Sequence, residues 1–523
     1  MSASKRIAQS TSVLAVATAI SRILGLVRDR LMAGLFGTML ESQAFVVAFR
    51  IPNLLRDLVA EGAVTSAFVP VMSWYRARGQ TDEFWALSRA LLSRLVVLLC
   101  AVGLIGALAA PQVVALVAPG FVHHPEKFAL TVRLTRILFP FITLVGLWAY
   151  FMGLLNSLQH FAVPALGPAI LNVAMIAACV WFVPVIHPGV LALTISVIIG
   201  GVVQLAVQVP VAMRLGFRWH WRWHHEGSSR ILRLMGPRLV GSAVYQVNVL
   251  VDTALSSLQS IVGDGAPVAL YFANRMVQLP LALFGTASAQ ASLPSLSEQA
   301  ARQDLAGFRS TMVSVIRMVG FIMLPSSAGL IVLAVPLVQT LFEYGAFDHR
   351  STLMTAQAII YYSLGLTAYA VSKILTGAFY ALHDTWTPVR SAMLAVAINI
   401  ALSVALMWPL KLGGLALAAA ISNSLNAGQL LWRMQRRLGV ELFRPLAAPL
   451  GGMAAASLVM GVVCWLFWRA VASRLSPWLG LPATILLSLI CYVVACALLR
   501  VQELSTALRW LTSLTPRPSR ATN

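Results

Sequence analysis

The chain has 523 residues, 59% of them hydrophobic and only 11% charged, with a mean hydropathy of +0.82. Soluble domains are about 25% charged, so this balance excludes a soluble enzyme or nucleic-acid-binding domain and predicts an all-α polytopic membrane protein. The net charge of +21, from 38 Lys and Arg against 17 Asp and Glu, is the signature of basic cytoplasmic loops.

A helix needs about 20 apolar residues to cross the hydrocarbon core. The first such stretch, 11–29, follows a short basic start. It runs into Arg22 and Arg28 with no A-x-A site, so it reads as a helix rather than a cleavable signal. The next, 33–60, is the least apolar; 90–117, 130–157, 162–183 and 189–213 complete six. A second six occupy 232–260, 267–292, 312–340, 353–380, 388–409 and 413–435, and 447–470 with 479–500 close the series. About fourteen spans result, an even number that puts both termini on one side.

The loops choose that side. One set holds Arg76, Arg78 and Arg89, then Arg214, Arg218, Arg222 and Arg230, then Arg302 and Arg309, then Arg433, Arg436, Arg437 and Arg444; the tails add Lys5, Arg6, Arg517 and Arg520. The alternate set (APGFVHHPEKF, VIHPGV, SIVGDGAP, FEYGAFDHR, LKLGG) is poor in Lys and Arg, except for Arg469 and Arg474 in the last outer loop. The basic set, and both termini, are therefore expected on the cytoplasmic side of the membrane. The stretch FRWHWRWHHEG (217–227) interleaves Trp with Arg and His. Stacking on nucleic acid is one use of that pattern, but anchoring at lipid headgroups suits a membrane protein better, and no nucleic-acid partner is expected. Cys100, Cys179, Cys464, Cys491 and Cys496 are scattered and give neither a disulfide framework nor a metal motif.

The halves repeat. Gly153-LLNSLQHFAV-Pro164 matches Gly377-AFYALHDTWT-Pro388, Pro70 matches Pro294, Arg50 matches Arg275, Phe121 matches Phe347 and Asp29 matches Asp252, at offsets of 223 to 226 residues. Six spans per repeat give both halves the same orientation, as in transporters whose substrate site lies between two lobes. The expected division is an N-terminal lobe over 1–225, a C-terminal lobe over 226–440, two added helices over 441–505 and a cytoplasmic tail over 506–523.

Cations inside the spans carry the functional argument. A charge at mid-membrane costs roughly 2.5–3.5 kcal/mol on insertion scales and is kept where it faces a polar cavity or a partner. Arg22 and Asp29 share a face of the first span, while Arg28, next to Asp29, is expected to point elsewhere. Arg50 and Asp57 share a face of the second, with Arg56 beside Asp57 and Glu61 one turn beyond. Arg275 lies between Asn274 and Gln278, and Lys373 has no acid nearer than Asp384. Structural ion pairing or snorkelling is the plain alternative for Arg28 and Arg56, which have adjacent acids. Several arginines and a lysine around one cavity suit an anionic cargo such as a diphosphate. Asp252 and Asp384 are either coupling-ion sites for Na⁺ or H⁺ or partners of these cations. No nucleotide-binding loop or catalytic triad occurs, so a transporter without a resident cofactor is expected, driven by an ion gradient or the membrane potential.

SRILGLVRD (21–29), AFRIPNLLRDLVAEGAVTSAFVP (48–70), APGF (118–121), YFANRMVQLPLALFG (271–285), LPSLS (293–297) and FYALHDTWTP (379–388) resemble the MurJ (MviN) family of the MOP exporter superfamily. The resemblance covers nearly the whole chain through the twelfth span. It implies two six-helix lobes plus two helices that form a groove for a lipid tail. It also implies a flippase for lipid II, undecaprenyl-diphosphate bearing the peptidoglycan disaccharide-pentapeptide, that acts as a monomer among membrane lipids and alongside the cell-wall synthesis machinery. By motif position Arg22, Arg28, Arg56, Arg275 and Lys373 fall on cavity residues of the family, and Asp252 and Asp384 on carboxylates of a Na⁺ site. The chain departs from the pattern at Gln43, Asn274 and Gln278, where many members have acids, and at Tyr380 and Ile400, where a complete Na⁺ site offers polar ligands. The rival functions are a flippase for another polyprenyl-diphosphate sugar, a multidrug cation antiporter, which calls for cavity acids, and a membrane enzyme of lipid-linked sugars. The last finds only His123, His124 and Glu126 in one loop, a group that reads as solvated.

Overall fold

The computed structural model describes residues 3–56, 68–472 and 474–506, and among them every regular element is a helix. The chain packs as two compact units, residues 1–268 with 342–351, and residues 269–341 with 352–523. This division by packing differs from the division by repeat, because the helix that opens the second repeat packs with the first unit.

The first unit contains α1 (Ala3–Phe36), α2 (Leu40–Arg56), α3 (Val69–Ala77), α4 (Thr81–Leu108), α5 (Ala110–Val117), α6 (Pro125–Ser157), α7 (Ala162–Ala165), α8 (Gly167–Ala177), α9 (Gly189–Arg214), α10 (Glu226–Ser256) and α11 (Gln259–Val262). At its centre α6 packs on α2, α4 and α9, burying Leu134, Leu138 and Phe141 completely. Leu98, Leu104, Ile105 and Leu108 of α4 remain exposed; an apolar face of this extent belongs against lipid. The stretch 90–117, expected as one span, is broken at Ala109. Pro111, in the first turn of α5, has no N–H to continue the α4 ladder.

The second unit is built from α12 (Ala266–Pro280), α13 (Ala287–Ala301), α14 (Leu305–Val332), α15 (Ala334–Phe342), α16 (His349–Leu364), α17 (Leu366–Ala381), α18 (Trp386–Leu410), α19 (Leu412–Leu438), α20 (Phe443–Val471) and α21 (Pro477–Leu498). A π-helical turn over Leu281–Thr286 joins α12 to α13 directly after Pro280, the place where a missing N–H loosens the ladder. The expected spans 312–340 and 353–380 are also broken, at Leu333 and at Gly365, where α16 and α17 bend by 46°. The added pair packs on α14 through Met453, Met460, Tyr492 and Cys496 around Phe321, and the Tyr492 hydroxyl donates to the Phe321 carbonyl at 2.8 Å.

The duplication is written in the helix boundaries. Helices start at 81 and 305, 110 and 334, 125 and 349, and 162 and 386, and end at 157 and 381 and at 214 and 438, each pair 224 apart. By length and apolarity, nine helices among the described residues suffice to cross a membrane, and the bent α16–α17 pair makes ten. Helices α1, α2, α10 and α19 are not among these ten, and a count of fourteen would add all four.

Candidate functional site

The α1 and α2 cations belong to the first unit and differ sharply in environment. Arg28 is buried, and its side chain curls back on its own neighbour: Nε and Nη2 donate to Asp29 Oδ1 at 3.0 and 2.6 Å. Nη1 donates to Asn172 Oδ1 of α8 at 2.8 Å, and Asn172 Nδ2 in turn donates to the Ser21 carbonyl at 3.0 Å. The expectation that Arg28 points away from Asp29 is therefore corrected. Adjacent Cβ atoms diverge on a helix, but a four-atom stem is long enough to bring the guanidinium back. Arg22 and Arg50 are half-buried and make no hydrogen bond or ion pair among the described residues. Arg56 is half-buried at the end of α2; Asp57 and Glu61, its expected neighbours, lie outside the described residues.

In the second unit both candidate cations stand one turn after a tyrosine. Arg275 is exposed, with its guanidinium 5.2 Å from the Tyr271 ring centroid and Nη2 donating to the Tyr271 hydroxyl at 3.2 Å. Lys373, also exposed, holds Nζ 5.1 Å from the Tyr369 ring. Residues four apart share a helix face, so each ring supports its cation without cancelling the charge. Asn274 and Gln278, where the family pattern has acids, pair with each other at 3.4 Å. The Tyr-x-x-x-Arg and Tyr-x-x-x-Lys spacings, 271 to 275 and 369 to 373, are the sequence signal of this support.

The two carboxylates raised as ion sites have different settings. Asp252 on α10 accepts from Asn248 Nδ2 at 3.2 Å. Asp384 lies just before α18 and holds its first turn: Oδ1 accepts from the Thr387 N–H at 3.0 Å, and Oδ2 from the Thr387 hydroxyl at 2.8 Å and Arg437 Nη1 at 2.6 Å. Burial pushes the Asp384 carboxyl up, but the Thr387 donors and Arg437 outweigh it and hold it below the usual carboxylate range. A carboxylate committed to a guanidinium and a helix cap suits a structural ion pair and does not fit Na⁺. No cluster of three or more His, Cys, Asp or Glu able to hold a metal occurs among the described residues.

Sequence reasoning missed a buried lysine. Lys127, at the start of α6, is 4% exposed and donates to Asp264 Oδ1 and Gln43 Oε1, both at 3.0 Å. Gln43 Nε2 donates to Asp264 Oδ1 at 2.9 Å and to the Thr38 carbonyl at 2.8 Å. Gln43, noted as a departure from the family pattern, thus bridges a cation and an acid. Nearby, Ala346 N–H donates to the Gly34 carbonyl at 2.8 Å and the Tyr344 hydroxyl to the Arg30 carbonyl at 2.6 Å. A Cβ on Gly34 would fall 2.2 Å from the Tyr344 ring, so only glycine lets segment 342–351 lie this close to α1.

Similarity to known proteins agrees with this arrangement. A profile of the family described as "Lipid II flippase MurJ" matches residues 32–482. The chain belongs to the MurJ family. The probable lipid II flippase MurJ of Vibrio cholerae is 36% identical over 474 residues, 88% of this chain and 89% of its own. The lipid II flippase MurJ of Burkholderia cenocepacia is 35% identical over 427 residues, 80% of this chain and 82% of its own. Among solved structures, a lipid II flippase MurJ in an inward closed conformation superposes with a TM-score of 0.79 at 25% identity, covering 93% of this chain and 98% of that one. An inward-facing multidrug MATE transporter of the MOP superfamily gives 0.68 at 15% identity over 82% of this chain and 99% of its own, a likeness of fold alone. A chain with this helical repeat is thus a MurJ-family transport protein.

Proposed function

We propose that this protein moves lipid II from the cytoplasmic to the periplasmic leaflet of the inner membrane by alternating access, as a monomer with both termini in the cytoplasm. Membership of the MurJ family supports the cargo. The observation that carries the mechanism is that Arg22, Arg50 and Lys373 lie within helices and have no carboxylate against them among the described residues. Uncompensated cations in a membrane protein call for an anion, and the lipid II diphosphate supplies it. In this reading Arg22, Arg28, Arg50, Arg56, Arg275 and Lys373 hold the diphosphate, with Arg28 aimed by Asp29 and Asn172, and Arg275 and Lys373 by their tyrosines. The polyprenyl tail stays in lipid beside α20 and α21.

No bond of the cargo is made or broken. The protein's task is to shelter a hydrophilic headgroup and to bind it with different affinity in its two states. The membrane potential acting on the cavity cations, worth about 2.3 kcal/mol per charge per 100 mV, is the favoured source of resetting energy, because Asp384 is taken by Arg437 rather than available to Na⁺. A multidrug cation antiporter needs free cavity acids, and here Asp29 and Asp384 are held by arginines.

The experiment is depletion of this protein in its host, followed by an external reagent that cleaves lipid II in the outer leaflet. Loss of cleavage with lipid II accumulating inside supports the reading. Unchanged cleavage in a host without a second flippase rejects it.

A further inference from the structure

The Trp-rich connection between α9 and α10 has no regular structure, yet it is firmly placed. Phe217 is buried against Phe151, with ring centroids 5.5 Å apart, and against Trp85 of α4 at 6.2 Å. Further along, Arg94 Nε of α4 donates to the Trp223 carbonyl at 2.7 Å, and the Arg222 N–H donates to Ser93 Oγ at 3.3 Å. At the far end His225 Nδ1 accepts from the Gly227 N–H, which leaves Nε2 to donate to Glu83 at 2.8 Å. Between these pins the chain forms no helix or turn, and a chain running extended sends alternate side chains to opposite faces.

The sequence uses that alternation fully. Trp219, Trp221 and Trp223 lie along one face, 51%, 57% and 47% exposed, with ring centroids 5.3 and 6.0 Å apart. Arg218, His220, Arg222 and His224, all exposed, alternate with them. Three neighbouring exposed indoles are costly in water.

The α4 contacts give the level of this ribbon. Arg94 is the last charge of α4; from Leu95 to Leu108 the helix carries none, and Val97 and Leu98 are exposed. The hydrocarbon boundary therefore falls at Arg94, the residue bonded to Trp223. Indoles favour that boundary, and guanidinium groups just outside it meet lipid phosphates.

We propose that segment 217–225 is an anionic-phospholipid contact: Trp219, Trp221 and Trp223 sit among the glycerol and upper acyl groups, and Arg218 and Arg222 bind headgroup phosphates of anionic lipids. The contact is independent of the cargo and of which side of the membrane is cytoplasmic. It fixes the connection between the two sequence repeats to the bilayer surface.

The test uses the full chain reconstituted in vesicles and a variant carrying Trp219→Phe, Trp221→Phe and Trp223→Phe, so that subtraction isolates three indoles from the fourteen in the chain. Phosphatidylcholine brominated high on its acyl chains is expected to quench the difference signal, and aqueous iodide to leave it nearly unchanged. Brominated phosphatidylglycerol at equal bromine content is expected to quench it more, reflecting about fivefold local enrichment per arginine, and Arg218→Gln with Arg222→Gln to erase that preference. Quenching by iodide but not by bromolipid would place the indoles in water, where a protein or nucleic-acid partner would be their ligand, and would overturn the proposal. Equal quenching by both bromolipids in the unsubstituted protein would overturn its anionic part.

Discussion

Lys127 and Asp264 stand 3.0 Å apart although 137 residues separate them, and Gln43 of α2 bonds to both. The triangle ties the start of α6, the first turn of α2 and the loop before α12 within the first unit. Burial pushes the Asp264 carboxyl up, but the hydrogen bonds from Gln43 and Lys127, with the charges of Lys127 and Arg350, hold it below its ordinary value.

A lowered carboxylate stabilises the fold above its unfolded pKa of about 3.9 and loses that contribution as pH falls through the still lower folded value. The protein is expected to lose thermal stability below about pH 4 more steeply than Asp264→Asn does. Parallel slopes in thermal scans from pH 5 to pH 3 would remove Asp264 from the acid response. Lys127→Met, which leaves buried Gln43 Oε1 without its donor, is expected to cost about 1–3 kcal/mol.

Arg28 and Asp29 form a buried pair, and removing one member costs far more than removing both. Arg28→Ala is expected to destabilise the protein by about 3–5 kcal/mol. Arg28→Gln with Asp29→Asn is expected to recover most of that stability while transport stays lost, since the diphosphate contact is gone. Unfolding in detergent alongside a lipid II translocation assay separates the two effects. Recovery of both properties would make Arg28 structural only.

Arg275 is held by Tyr271 yet exposed, so its replacement disturbs little packing. Arg275→Ala is expected to insert and fold normally and to abolish transport. Arg275→Lys keeps the charge but loses the planar fork, and a drop of roughly tenfold is expected, the equivalent of one charge-assisted hydrogen bond. Full growth of cells that rely on Arg275→Ala would exclude it from cargo binding.

Asp384 caps α18 and pairs with Arg437. Asp384→Ala is expected to cost about 0.5–2 kcal/mol through the lost cap alone, and replacing Na⁺ by choline is expected to leave the melting temperature unchanged. A Na⁺-dependent rise in melting temperature that Asp384→Ala abolishes would establish Asp384 as a cation ligand instead.

The helices were legible because a long apolar run records residence in the hydrocarbon layer, and the repeat because Gly153 and Gly377, and Pro164 and Pro388, are backbone signals that survive when side chains diverge. The breaks at Ala109, Leu333 and Gly365 were legible only in part: Pro111 and Pro336 mark two of them, but a proline in an apolar run marks a kink and a break alike. Lys127 was missed because, in sequence, a lysine after Glu126 in a polar loop reads as solvated. Its burial depends on Gln43 and Asp264, 84 and 137 residues away. Arg28 was misdirected because helix geometry fixes Cβ directions, whereas a long side chain chooses its partner through tertiary contacts, here Asn172.

Carriage of lipid II across a bilayer on the arginines of this chain can be measured in a defined system. Purified protein in proteoliposomes loaded with lipid II, challenged from outside with an enzyme that cleaves the exposed headgroup, tests it most directly. The unsubstituted protein is expected to expose the inner-leaflet pool to cleavage, and Arg275→Ala, equally folded, to leave it protected. An inner pool that stays protected with the unsubstituted protein under an imposed membrane potential, or one released equally fast by Arg275→Ala, would contradict it.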